Sequence, residues 1–119
     1  MFDINHTSPA PCRRATIIEA VLGECAGLLA GEYTVEGPVD LAELRREGGV
    51  YLAVKKRSRG WWEPVKVGHG GDVGDRIQTI CAESWCRRVQ VQFFAVYVEG
   101  LDTSGRRALE SRARMAFGL

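Results

Sequence analysis

Glu110 is a carboxylate in a place where carboxylates are costly. It falls three residues before Ala113 and seven before Phe117, beside the apolar stripe of a helical pattern. There it needs a cation, a hydrogen-bond donor or a metal ion. Arg106 and Arg114, four residues to either side, are the simplest partners on a helix surface. Arg76 is a second such group: the helical period puts it about 60° from Val73, at the border of an apolar face from which it can reach into a pocket. Asp72 at i−4 is its alternative partner. Lys55, Lys56, Arg57, Arg59, Trp61 and Trp62 form a third group. Cations interleaved with rings suit a nucleic-acid backbone and its unpaired bases, or else a solvated hairpin tip with aromatic packing.

The elements that must position these residues follow from hydrophobic periodicity. Val50, Leu52 and Val54 alternate with Tyr51, Ala53 and Lys55, which predicts a half-buried strand. A basic, aromatic loop from Lys56 to Trp62 separates it from a second short strand, Pro64 to Gly68, and the spacing predicts a hairpin. If Val65 and Val67 join Val50, Leu52 and Val54 on the core side, Tyr51 and Lys66 share the other face; register decides this. Asp72 can cap a helix from Val73 whose stripe is Val73, Ile77, Ile80, Cys81 and Ser84. Val89 to Val98 alternates and then turns apolar on both faces, as a central strand does. Thr103 or Ser104 can cap a last helix running to about Phe117. Ahead of all this, residues 1–12 read as an arm and Ala15 to Ala30 as an amphipathic helix. Asp40 can start a short helix through Arg46 that stops at Gly48 and Gly49. The expectation is an α/β fold: a small three-stranded antiparallel or mixed sheet with flanking helices over residues 48–119, behind an N-terminal helical extension, residues 1–47, packed on the same domain or on a partner.

Composition narrows the classes. With 119 residues and 45% hydrophobic content the chain suits one packed core. No apolar run approaches the roughly 18 residues of a membrane span, and the N-terminal residues lack a basic segment followed by a greasy one, which predicts a soluble protein without a membrane partner. Cys12, Cys25, Cys81 and Cys86 contain no C-x-x-C pair, and read as reduced, largely buried thiols of a cytoplasmic protein. Charge is asymmetric: residues 1–50 carry four Arg against eight acids, a net −4, and residues 51–119 carry twelve Lys and Arg against seven acids, a net +5. An anionic partner would prefer the C-terminal part.

Taken in order, residues 49–117 predict strand, strand, helix, strand, helix. On them lie Gly49-Val50-Tyr51, Val65-Lys66-Val67-Gly68, Arg76 eight residues after Gly68, and Ala108-Leu109-Glu110. The combination, over about 70 residues, resembles the GIY-YIG nuclease family, with Lys66 where the second motif usually has tyrosine. The resemblance implies a metal-dependent endonuclease that hydrolyses phosphodiester bonds of nucleic acid, DNA in the first instance. Tyr51 would position or deprotonate the attacking water, Arg76 would bind the scissile phosphate, and Glu110 would hold a single Mg²⁺ or Mn²⁺. Lys66 would add charge near the phosphate or assist the base chemistry. His69, next to the motif glycine, would be a phosphate contact or auxiliary base if it is not simply an exposed loop histidine. Two other readings use the same residues: a nucleic-acid-binding module on this fold without turnover, and a small interaction domain that pairs with a second copy or a larger protein through the N-terminal helix.

Overall fold

The computed structural model of the chain describes residues 11–29, 31–83 and 91–119, with the backbone alone at 81–83. The expectations placed on residues 1–10, on Ser84 and on the start of the last strand at Val89, with the side chains of Cys81 and Cys86, lie outside the described residues.

The fold is α/β with four strands rather than three. In chain order the elements are α1 (Arg14–Cys25), β1 (Tyr33–Val39), β2 (Gly49–Ser58), β3 (Trp61–Gly70), α2 (Val73–Glu83), β4 (Val91–Val98) and α3 (Thr103–Met115), with short 3-10 turns at Ala26–Leu28 and Leu41–Glu43. The sheet is antiparallel in the order β1-β4-β2-β3. From Gly49 onward the order is the expected one; the fourth strand comes from a polar stretch after Gly31, within the N-terminal segment read as a helical extension. Tyr33–Val39 pairs with β4 from Tyr33↔Val98 to Val39↔Phe93, with a register shift after Glu36. Asp40 starts only a single 3-10 turn, not a helix through Arg46, because residues 45–47 bend away to cover the start of α2.

With β1 added, β2 and β4 both become inner strands and are buried on both faces. The half-buried reading of β2 is therefore corrected. On one face Val50, Leu52, Val54, Val67, Phe94 and Val96 pack against Ile17, Val21 and Cys25 of α1 and Leu109 and Ala113 of α3. On the other, Tyr51, Ala53, Phe93, Ala95 and Tyr97 pack under Val73 and Ile77 of α2 and Leu44. Burial raises the Cys25 thiol to about 11, which keeps it protonated and inert, as the reduced-thiol reading expects.

The hairpin loop proposed for Lys56 to Trp62 is mostly strand. β2 and β3 run on until only Arg59 and Gly60 are left to turn. A bulge opposite Ala53 and Val54 lets Lys66 pair with Ala53 and Pro64 with Val54. The extra residue, Val65, is thereby turned to the Tyr51 face and packs against the second cluster, while Val67 stays with the first. Residues 12–14 hold the sheet at its edges. Cys12 exchanges backbone hydrogen bonds of 2.7 and 2.8 Å with Trp62 of β3, and Arg14 Nε donates to the Gly37 carbonyl of β1 at 2.6 Å. No helix among the described residues is long and apolar enough to cross a membrane.

Candidate functional site

Two motif glycines make the site possible. At Gly49 a Cβ would stand 2.1 Å from the Val96 carbonyl oxygen, so β2 and β4 can approach here only without a side chain. Gly68 lies directly across β3 from Tyr51, and a Cβ there would meet the Tyr51 hydroxyl at 2.2 Å and its ring at 2.4 Å. The tyrosine therefore lies across a bare stretch of backbone, with its hydroxyl carried to the far edge of the hairpin. Gly68→Ala is expected to cost about 1–3 kcal/mol by overpacking. Denaturant unfolding checks this, and the loss should shrink when Tyr51 is first replaced by valine, because the two changes share one contact.

That placement opens a polar cavity of about 400 Å³. Its walls include Tyr51 from β2, Lys66, Gly68 and His69 from β3, Arg76 and Ile80 from α2, and Glu110 and Arg114 from α3. Four elements thus bring together the five residues singled out as catalytic. Arg76 is not paired with Asp72: Asp72 accepts the Asp75 amide at 2.9 Å, capping α2 as expected, and pairs with Arg46 at 3.2 Å. Among the described residues the Arg76 side chain makes no hydrogen bond or ion pair, and it is solvent-exposed at the cavity. The amides of Val73 and Gly74 are already taken by the carbonyls of Glu47 and Arg45, so the start of α2 does not offer them to an anion.

Glu110 is 18% exposed and has two neighbours. Arg114 Nη2 is 3.0 Å from Oε2, and His69 Nε2 is 3.6 Å from Oε1. Arg106 does not reach it, being turned to the Leu101 carbonyl and the Thr103 hydroxyl. An exposed i,i+4 pair such as Glu110–Arg114 is worth only about 0.3–0.5 kcal/mol. His69 is not an exposed loop residue: it ends β3, its side chain is 22% exposed, and its Nδ1 is buried without a hydrogen-bond partner. The α3 cap is also corrected, since Asp102 rather than Thr103 or Ser104 accepts the Gly105 amide, at 2.8 Å.

Among the described residues no three His, Cys, Asp or Glu side chains come together as a metal cage. The donor set at Glu110 fits a different kind of site, one carboxylate facing an open polar cavity. That is how a hard, octahedral ion that keeps most of its waters is bound.

Burial is the main influence on the Tyr51 hydroxyl and raises its pKa; Arg76 and Arg114 oppose this, and Glu110 adds to it. A phenol pushed above its ordinary value of about 10 stays protonated at neutral pH. The Tyr51 hydroxyl is therefore available as a hydrogen-bond donor to the cavity. Glu110→Gln removes an anion that disfavours the phenolate, so the Tyr51 pKa should fall, whereas Arg76→Ala should raise it. Absorbance titration of the phenolate in a Tyr33→Phe background reads both. Burial also raises Tyr97. Both tyrosines have folded-state pKa values above the unfolded one, so their contribution to stability is complete below about pH 10 and is lost as pH climbs beyond it.

The basic and aromatic residues of the hairpin do not join the cavity. Trp61 lies about 20 Å along β3 from Gly68, taking the usual rise per strand residue. Arg57 is paired with Glu63, and Trp61 is stacked under Arg13, whose guanidinium carbon is 4.5 Å from the ring centroid. Trp62 donates to Gln92 at 2.9 Å and packs edge-on against Phe94. Both tryptophans are engaged in holding the N-terminal segment and the core. Lys56 and Arg59 are exposed at the tip, and Lys55 is half-buried. Sequence reasoning treated Arg114 only as a partner for Glu110; its place on the cavity wall was signalled by that same four-residue spacing.

No protein-family model, curated protein or solved structure matches this chain.

Proposed function

We propose that this chain is a divalent-metal-dependent phosphodiesterase of GIY-YIG type acting on nucleic acid, with DNA as its substrate. One observation carries the reading: a hydroxyl donor, an ammonium, an imidazole, a guanidinium and a lone carboxylate, drawn from four elements, line one open cavity. Lys66, Arg76 and Arg114 outnumber Glu110, so the cavity favours an anion.

In this reading Glu110 holds Mg²⁺ or Mn²⁺, which when bound supplies Lewis-acid stabilisation of the leaving oxygen. The chain's own residues do the rest. Arg76 and Lys66 neutralise the charge that builds on the non-bridging phosphate oxygens. Tyr51, held protonated, donates a hydrogen bond that orients the attacking water. The water oxygen forms its bond to phosphorus while the bond to the leaving ester oxygen breaks with its electron pair. The proton lost by the water passes to His69, the imidazole being the side-chain class that exchanges protons near neutrality; the leaving alkoxide takes a proton from solvent.

The test is supercoiled plasmid incubated with the protein and Mg²⁺ or Mn²⁺, with and without chelator. Nicking that disappears on chelation and in Glu110→Gln supports the reading. The Arg114–Glu110 pair favours a second one, a binding module on this fold whose carboxylate is structural; plasmid that is bound in a salt-dependent way but never cut would establish that instead.

A further inference from the structure

Resting on the phosphodiesterase reading, we infer that Arg114 is a second phosphate-binding arginine, held on Glu110 while the site is idle and passed to the substrate when a divalent ion takes the carboxylate. Nothing in the family resemblance assigns it. Its guanidinium lines the same cavity as Tyr51, Lys66 and Arg76, and its charge is felt at the Tyr51 hydroxyl. It makes one Nη2 contact of 3.0 Å with Glu110 Oε2, and its side chain, on a long stem in the last turn of α3, is 49% exposed. A guanidinium offers a planar fork of donors that matches phosphate oxygens two at a time, a stronger contact than an exposed intrahelical carboxylate pair.

Electrostatics makes the exchange self-consistent. With a divalent ion bound there, Glu110 would no longer neutralise Arg114, whose guanidinium would then lack its anion. The phosphate that arrives with the ion then gives the arginine a new anion within the same cavity. Without ion and phosphate, the pair keeps Glu110 neutralised beside Lys66 and Arg76. The rest-state partner of the carboxylate is thus a clamp on the substrate in the working state.

The experiment compares the wild-type chain with Arg114→Gln, Arg114→Lys and Glu110→Gln, all checked for unchanged melting. Mn²⁺ alone is titrated by the paramagnetic resonance of the free ion, and a short DNA duplex is titrated over a range of salt both in chelator and with saturating Ca²⁺. Arg114→Gln should bind Mn²⁺ about twofold or more tightly than wild type, because the competitor for Glu110 is gone. With Ca²⁺ present its DNA binding should lose about one unit of salt slope relative to wild type while Arg114→Lys retains that slope, and in chelator, where Arg114 stays on Glu110, the slopes should nearly coincide. An unchanged slope in Arg114→Gln with Ca²⁺ present, Mn²⁺ binding no tighter than wild type, or equal Mn²⁺ binding by wild type and Glu110→Gln each overturns the inference. If the titrations come out as expected but the wild type never cuts plasmid, the nuclease reading fails and the exchange stands as a property of a binding site.

Discussion

Glu110→Gln should lower Mg²⁺-dependent cleavage by about two or more orders of magnitude while leaving the fold in place. The amide keeps the shape of the side chain but loses the charge that makes a carboxylate a ligand for a hard ion, and the cavity offers no second carboxylate among the described residues. The structural loss is limited to the exposed pair with Arg114, about 0.2–0.5 kcal/mol. DNA affinity in chelator should hold or rise, because the substitution removes a negative charge from the cavity in which the proposed function seats a phosphate. Cleavage rate, metal-free affinity and melting temperature together separate the roles. Near-wild-type cleavage with a small loss of melting temperature would reduce Glu110 to a salt-bridge residue.

Arg76→Ala should impair both binding and turnover, with kcat falling about 10²–10³-fold as is usual when one electrostatic donor is lost. The contrast with Glu110→Gln is diagnostic, since only the arginine change takes a cation from the phosphate. Arg76 is exposed, and among the described residues its side chain makes no hydrogen bond or ion pair, so stability should shift by no more than about 0.5 kcal/mol. Single-turnover cleavage alongside metal-free affinity checks this. Lost turnover with unchanged affinity would move the phosphate contact to Lys66 or Arg114.

Where local periodicity agreed with the final environment, the chain was readable. Asp72 precedes a helical stripe and Phe93 to Val98 is apolar on both faces, and each became the expected element; Val50 to Lys55 gave the strand but not its burial on both faces. β1 was not readable, because Tyr33–Val39 contains Gly37 and Pro38 and shows no clean alternation. Its strand character comes from pairing with β4, some 60 residues away, a tertiary effect outside any local window. The face of Val65 was equally out of reach, since a bulge shifts side-chain direction without changing composition. For the site, residue types and order were enough to nominate Tyr51, Lys66, His69, Arg76 and Glu110, because their separation along the chain is bridged by a simple strand and helix order. The packing partners of the hairpin tryptophans were out of reach for the opposite reason. Arg13, Cys12 and Gln92, which engage them, come from parts of the chain with no sequence link to the hairpin.

Residues 12–14 bear on how the molecule avoids its own kind. An open four-stranded sheet has two rows of unsatisfied backbone groups at its rims, each a template on which a foreign strand could zip. Cys12 occupies the rim of β3 at Trp62, and two residues later Arg14 occupies the Gly37 carbonyl on the rim of β1, next to Pro38, which has no N–H to offer. One short segment, by backbone at Cys12 and by side chain at Arg14, thus obstructs sheet extension on both sides. The obstruction is at the end remote from the cavity, so protection against edge-to-edge polymerisation leaves the polar mouth open to a long anionic chain.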